Sequence, residues 1–414
     1  MISWLTLLWV LGFVYLAVRH QDKIPFVLGL VLPAYLVKFW VLGIPTTWLE
    51  LAIYAVFVVW LIQHRQNYPK FLSWLVDYKI PLILFGIGLG VGLVVSAQIT
   101  VSLGVIKGWF VDPFLLAIIL VSSKRQLKDV FNKIGAGLIV AGVILSLAAI
   151  YQVVTGHFIT IDHRASAWFT SANYLSLFLV PVVVLGWGLF TQNTKKWWRL
   201  GLILAEIIML TALYFTVSYA GWLVLLIGGL IFWVLAQPRW INLLWWGLGV
   251  GLVVVSQWQH PKFQQMLDLI GHSSSHVRLQ VWQTALLMIQ QHWLTGIGLG
   301  LFEQRYLEFA SQIFHPPIEL IMLHSHNIFL QFWVNLGIIG LVGFVWLLAV
   351  WFKLIWPLVR ERNMIAITVV VAMITLLAHG MLDVAYWKND LSALFWIIFA
   401  LGVMVYGQKL SYRD

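Results

Sequence analysis

The sequence predicts an all-α bundle that crosses a membrane 12 or 13 times, a single polytopic domain over residues 1–414. Three observations lead there. Hydrophobic residues make up 62% of the chain and charged residues only 10%, where soluble domains carry about 25% charged. Apolar runs of about 18 residues or more, nearly free of charge, recur along its length. Lipid cannot satisfy backbone polar groups, so spanning segments are helices or a closed barrel. These runs are too long and too uniformly apolar for the alternating strands of a barrel.

Taken in order, the candidate spans are 2–18, 25–43, 46–63, 80–97, 105–122, 134–154, 173–191, 200–217, 221–236, 240–256, 326–350, 364–382 and 391–408. The first has neither a preceding basic region nor a small-residue cleavage site, and is expected to be a retained helix. The fifth is interrupted by Asp112-Pro113, where proline starts or kinks a helix. The stretch 200–236 is too long for one span and is expected to break at Val217-Ser218-Tyr219-Ala220-Gly221.

Charge orients the bundle. One set of alternate loops holds Arg19, Lys23, Arg65, Lys70, Lys79, Lys124, Arg125, Lys128, Lys133, Lys195, Lys196, Arg199, Arg239, Lys353, Arg360, Arg362, Lys409 and Arg413, 18 of the 25 basic residues. That set is expected to be cytoplasmic, which accounts for the net charge of +10 without nucleic acid. The chain has no cysteine, so disulfide and thiol chemistry are excluded. The one long hydrophilic segment, 257–325, is expected on the non-cytoplasmic side. It holds His260, His272, His276, His292, His315 and His324, with His326 at its end.

Three segments carry candidate chemistry. Leu323-His324-Ser325-His326-Asn327 opens a long apolar helix containing Gly337, Gly340 and Gly343, spaced to let a neighbouring helix approach closely. His326 at that junction is a candidate general base; the alternative is an interfacial histidine satisfied by a backbone carbonyl. His324 and His326 would diverge on a helix, and the nearest acid is Glu319, so no metal is expected there.

Upstream, Trp282, Ala285, Leu286, Ile289 and Trp293 form an apolar stripe opposite Gln280, Gln283, Thr284, Gln290 and Gln291. This predicts an amphipathic helix on the outer surface, with Arg278 in its first turn and the close-packed turn Gly296-Ile297-Gly298-Leu299-Gly300 after it. The third segment is Asp162-His163-Arg164, followed by Ser171-Ala172-Asn173-Tyr174-Leu175, where Asn173 is placed to cap a helix. Arg164 can chelate phosphate through two parallel bonds, whereas a single loop arginine more often meets lipid headgroups. Glu206 lies inside an apolar span, a functional candidate by position. His379-Gly380 and Asp383 lie at the outer end of the 364–382 span, where Asp383 could orient a histidine.

These segments together resemble the O-antigen ligase and O-antigen polymerase family of membrane glycosyltransferases, over about residues 155–385 and in the same order. The marks are His326-Asn327 followed at fixed spacing by Gly337 and Gly340, then Arg278, Trp282 and Ala285 leading to Gly296-x-Gly298, and Arg164 with Asn173-Tyr174-Leu175. The resemblance implies a donor glycan carried on a polyprenyl diphosphate, and its transfer to an acceptor hydroxyl of a glycolipid, glycan or protein at the outer face of the cytoplasmic membrane. It implies His326 as the catalytic histidine and Arg164 and Arg278 on the diphosphate. Asn327, Arg305, His324, Tyr219, His379 and Asp383 are possible supporting residues.

Two departures stand out. Tyr219 follows Ser218 where relatives often carry arginine, so one phosphate contact is missing or comes from Arg305 or Lys107. The usual proline before the glycine turn is replaced by Leu294-Thr295. Sparse outer carboxylates favour a site without metal, and no cofactor is called for. Polymerase, with a second lipid-linked glycan as acceptor, shares these motifs. A transporter of small anions built around Glu206 is the competing class, disfavoured because no internal repeat is evident.

Overall fold

The computed structural model describes residues 4–41, 44–65, 72–123, 125–236, 240–259, 262–264 and 274–411. Lys70, Lys124, Arg239 and Arg413 of the basic set, with His260 and His272, lie outside the described residues. Among the described residues, eight helices are long and apolar enough to cross a membrane and four shorter ones are apolar. The chain is an all-α polytopic membrane protein.

The elements run α1 (Trp4–Arg19), α2 (Ile24–Leu30), β1 (Lys38–Val41), β2 (Ile44–Thr47), α3 (Trp48–His64), α4 (Leu75–Val94), α5 (Ile99–Val105), α6 (Asp112–Val121), α7 (Leu127–Thr155), α8 (Ala172–Gln192) and α9 (Lys196–Phe215). They continue with α10 (Tyr219–Ala236), α11 (Trp240–Gln257), α12 (Ser274–Gln291), α13 (Phe302–Ile313), α14 (Ile328–Arg360), α15 (Met364–Gly380) and α16 (Asn389–Ser411).

The expected span 25–43 is not one helix. Pro33 cannot continue α2, and the chain passes through a 3-10 turn at Leu32–Leu36 into an antiparallel hairpin of β1 and β2. The short α2 still packs closely on α7: a Cβ on Gly137 would lie 2.0 Å from the Phe26 carbonyl. Thr47 then starts α3 with a capping box to Glu50. The 105–122 span is longer than expected, 99–121, with a π-helical turn at Ile106–Val111 ahead of Asp112-Pro113. The break expected near 217–221 falls at 216–218.

The most buried spans are α16 and α8, with 83% and 78% of their apolar windows inside the protein, against 22% for α10. The first two, with α15 packed on both, form the centre; α10 is peripheral. Gly340 and Gly343 meet α4 as the spacing predicts, with a Cβ on Gly88 falling 2.4 Å from the Gly340 Cα.

Gly337 does something else. Its φ of +66° and ψ of −175° interrupt α14. The interrupted backbone receives the glycine turn: Ile297 N–H donates to the Val334 carbonyl at 2.8 Å and Ile338 N–H to the Trp293 carbonyl at 3.1 Å. A Cβ on Gly337 would lie 2.0 Å from the Leu294 carbonyl oxygen, and left-handed backbone itself costs an L residue about 1–2 kcal/mol. Gly337→Ala is therefore expected to destabilise the protein by more than about 2 kcal/mol. Gly90→Ala, whose Cβ meets nothing within 4 Å, is the neutral control; thermal unfolding in detergent reads both.

Residues 274–323 fold over the end of the bundle where α14 begins. Val281, Ala285, Met288 and Ile289 of α12 bury against Phe302, Tyr306, Phe309 and Ala310 of α13 and Val334 of α14. The expected stripe on α12 is rotated. Leu286 and Trp293 are exposed, while Gln280 and Thr284 are buried. Gln280 is satisfied inside, donating to the Tyr306 hydroxyl at 2.6 Å and accepting from Ile318 N–H at 2.7 Å.

Candidate functional site

His326 stands immediately before α14. Asn327 caps that helix, its side-chain oxygen accepting from Phe329 and Leu330 N–H at 3.0 and 3.1 Å. Asn327 also donates to the Met381 carbonyl at 3.2 Å. His326 itself adopts φ +49°, a strained conformation for a side chain other than glycine that is more often met at functional positions. It is held there by its neighbours. The Ser325 hydroxyl donates to the Asn327 carbonyl at 3.0 Å, and the Trp282 indole donates to the His326 carbonyl at 3.3 Å.

The backbone turn aims the imidazole at Asp383, Nδ1 to Oδ1 at 3.2 Å. Asp383 is buried; its Oδ1 also accepts from Val384 N–H at 2.8 Å and its Oδ2 from the Asn173 amide at 3.1 Å. Burial alone would raise this carboxyl's pKa, but His326, by charge and hydrogen bond, then His324 and Arg278 hold it well below the usual carboxylate range. An anionic Asp383 fixes a proton on His326 Nδ1 and leaves Nε2 as the basic nitrogen. The His326 side chain keeps 23% of its exposure, so that face is reachable.

Asn173 is not the helix cap expected of it. Ser171 caps α8, accepting from Asn173 N–H at 3.2 Å. This frees the Asn173 side chain to bridge two parts of the site: its amide nitrogen reaches Asp383, and its oxygen accepts from Arg164 at 2.9 Å. Arg164 also donates to the carbonyls of Thr216 at 2.6 Å and Val217 at 3.3 Å, and to Asp162 at 3.2 Å. Burial lowers its pKa, with Arg278 adding to the effect and Asp162 and Asp383 opposing it.

Arg278 reaches the same place from α12, its Nε donating to the Leu382 carbonyl at 2.7 Å. Its Nη1 donates to the Ser274 carbonyl at 3.4 Å, and the side chain lines a cavity of about 330 Å³ between α10, α11 and the start of α12. One end of that cavity is polar, with Asn173, Ser218, Tyr219, Gln257 and Lys262; the other is apolar, with Leu223, Leu226, Val253 and Val254. A larger cavity of about 520 Å³ opens between α1, α3, α6 and α7, lined by Gln21, Trp60 and Arg125, and holds none of the candidate site residues.

The other candidates divide. His324 joins the site: its Nε2 lies 2.9 Å from the Tyr174 hydroxyl and its ring 5.5 Å from that of His326. Burial, with His326 adding to it and Asp383 opposing, pushes its pKa down to about 4, so it stays neutral at physiological pH. Lys388, missed in the sequence reading, lies 3.5 Å from the centre of the Tyr174 ring. His379 is buried under Asp383, its carbonyl accepting from Asp383 N–H. Tyr219 lines the cavity and donates to Gln257 at 3.2 Å.

Arg305 is committed to Glu308 at 2.7 Å, and Lys107 to Glu50 at 2.5 Å; neither lines the cavity. Glu206 packs against Gly186 of α8 within the bundle, also away from the cavity. Among the described residues, no group of three histidine or acidic side chains could hold a metal ion.

A family model described as O-antigen ligase matches residues 204–345, a stretch that includes Lys262, Arg278 and His326. The chain is also similar to the O-antigen ligase of Salmonella typhimurium, 26% identical over 186 residues. That match covers 41% of this chain and 43% of the relative, less than half of either. Over these stretches the chain is similar to O-antigen ligases.

Proposed function

We propose that the protein transfers a glycan from a polyprenyl diphosphate to an acceptor hydroxyl, with His326 as base and Arg278 and Arg164 on the diphosphate. One observation carries this reading: a proton-handling pair and an anion-binding pair are tied through two adjacent residues. The Asp383 side chain takes His326 and, through Asn173, Arg164; the carbonyl of the preceding Leu382 takes Arg278. A base and an anion site held at fixed separation suit a reaction that removes a proton at one point and builds negative charge at another.

The bonds balance without an external energy source. His326 Nε2 accepts the acceptor hydroxyl proton as its oxygen bonds to the anomeric carbon. The bond from that carbon to the phosphate oxygen breaks, and the diphosphate leaves with the electron pair. Attack opposite the leaving group inverts the anomeric centre. Arg278, open to the cavity, contacts the phosphate oxygens, while Arg164, held behind Asn173, contributes its field. The apolar end of the cavity suits the first isoprene units, since it opens beside the peripheral α10. The positive-inside bias of the basic loops supports a site on the non-cytoplasmic face of the cytoplasmic membrane.

Arg278→Lys tests the anion role. Its Nε donates to Leu382 and its Nη1 weakly to Ser274 while the side chain lines the cavity, and a lysine ammonium cannot reproduce the guanidinium fork. Turnover at subsaturating donor should fall by about tenfold or more, with the thermal midpoint little changed. Near-normal turnover would remove Arg278 from the diphosphate site.

A further inference from the structure

Two cations, Arg278 and Lys262, together line the cavity, and a third, Arg164, bonds to Asn173 and Val217 beside it; Lys262 has no role in the sequence analysis. Its Nζ donates to the Val217 carbonyl at 2.9 Å, the same oxygen that accepts from Arg164 at 3.3 Å. Val217 has φ +47°, a genuine outlier for a β-branched residue. Strain of this kind persists where surroundings over-determine it, often at ligand sites. Here it turns one carbonyl toward two cations. The Lys262 ammonium also lies 5.9 Å from the centre of the Tyr219 ring.

We propose that Lys262 is the third cation at the donor diphosphate, placed by the Val217 carbonyl and the Tyr219 ring to contact the phosphate oxygens together with Arg278. The inference rests on the diphosphate reading above. It also answers the departure at Tyr219: the cation that the neighbouring backbone lacks comes from the 257–325 segment, and from neither Arg305 nor Lys107. Burial, with Arg164 and Arg278 adding to it and Asp162 opposing, pushes the Lys262 pKa down to about 7. A diphosphate with two or more negative charges reverses that balance and favours the ammonium.

The test titrates the full chain in detergent micelles with farnesyl diphosphate, a short polyprenyl diphosphate. The variants are Lys262→Ala, Lys262→Met, Lys262→Arg, Tyr219→Arg/Lys262→Ala and Arg278→Ala, each checked by thermal unfolding. Lys262→Ala should weaken binding by about tenfold or more. Lys262→Met, which keeps the apolar stem on Tyr219, should show the same loss and replaces the alanine variant if that one does not fold. Lys262→Arg should stay within about threefold of wild type. Arginine at 219 should recover most of the loss, a rescue that a purely structural lysine would not show. Wild-type affinity in Lys262→Ala or Lys262→Met, with loss in Arg278→Ala, would overturn the third contact and leave the diphosphate reading standing. Wild-type affinity in all of them would overturn both.

Discussion

His326→Ala is expected to cut glycan transfer by about 10²–10⁴-fold while the protein remains folded. The expectation follows from what the imidazole touches. Nδ1 is committed to Asp383 at 3.2 Å, so the free Nε2 is the one nitrogen able to take a proton from an incoming hydroxyl. Alanine removes it and leaves the arginines in place, so donor binding should persist. Because residue 326 has φ +49°, alanine adds a backbone cost of its own. His326→Asn controls for that, since asparagine tolerates left-handed backbone but is no base. Both should lose transfer, and the asparagine variant should unfold nearer the wild-type temperature. Full transfer in His326→Asn would remove histidine from the chemistry.

Asp383→Asn is expected to have the second largest effect, about 10²-fold or more on transfer together with about 2 kcal/mol of stability. The carboxylate accepts from His326, Asn173 and Val384 N–H at once. An amide can accept for some of these but must turn an N–H toward another donor. It also carries no charge with which to stabilise the imidazolium that would form in the proposed proton transfer to His326. The stability effect has a definite pH sign. The folded pKa of Asp383 is depressed, so the carboxylate's contribution is fully present above its unfolded value of about 4. It is lost as pH falls through the folded value. Wild type and Asp383→Asn should therefore differ in thermal midpoint at neutral pH and converge only in strong acid. A constant gap down to the lowest pH would mean that the charge is not what stabilises this pair.

Hydropathy carried the helical bundle because each span is a local property of its own residues. The failure at 25–43 is also local: Pro33 ends the helix, yet a hydropathy window averages over it. The face of α12 was misjudged because the buried Gln280 finds its partners in Tyr306 and Ile318, 26 and 38 residues away. Polar residues look solvent-facing until those partners are known. The site residues were legible where one segment concentrated them, as at His324 to Asn327. Asp383 was noticed beside His379, but the histidine it orients is 57 residues upstream. Lys262 left no local signal, being one lysine in a polar segment. What marks it is the strained Val217 carbonyl 45 residues away, which only the folded chain brings near.

The most direct test of the central claim is a transfer assay in proteoliposomes. It supplies a polyprenyl-diphosphate glycan and a panel of lipid, glycan and protein acceptors to wild type and His326→Ala, with and without a metal chelator. The account predicts that wild type moves the glycan onto one acceptor class and releases polyprenyl diphosphate, that His326→Ala does neither, and that the chelator changes nothing. The acceptor that works separates ligase from polymerase. Donor left intact by folded wild-type protein with every acceptor, or consumed equally by His326→Ala, would contradict it.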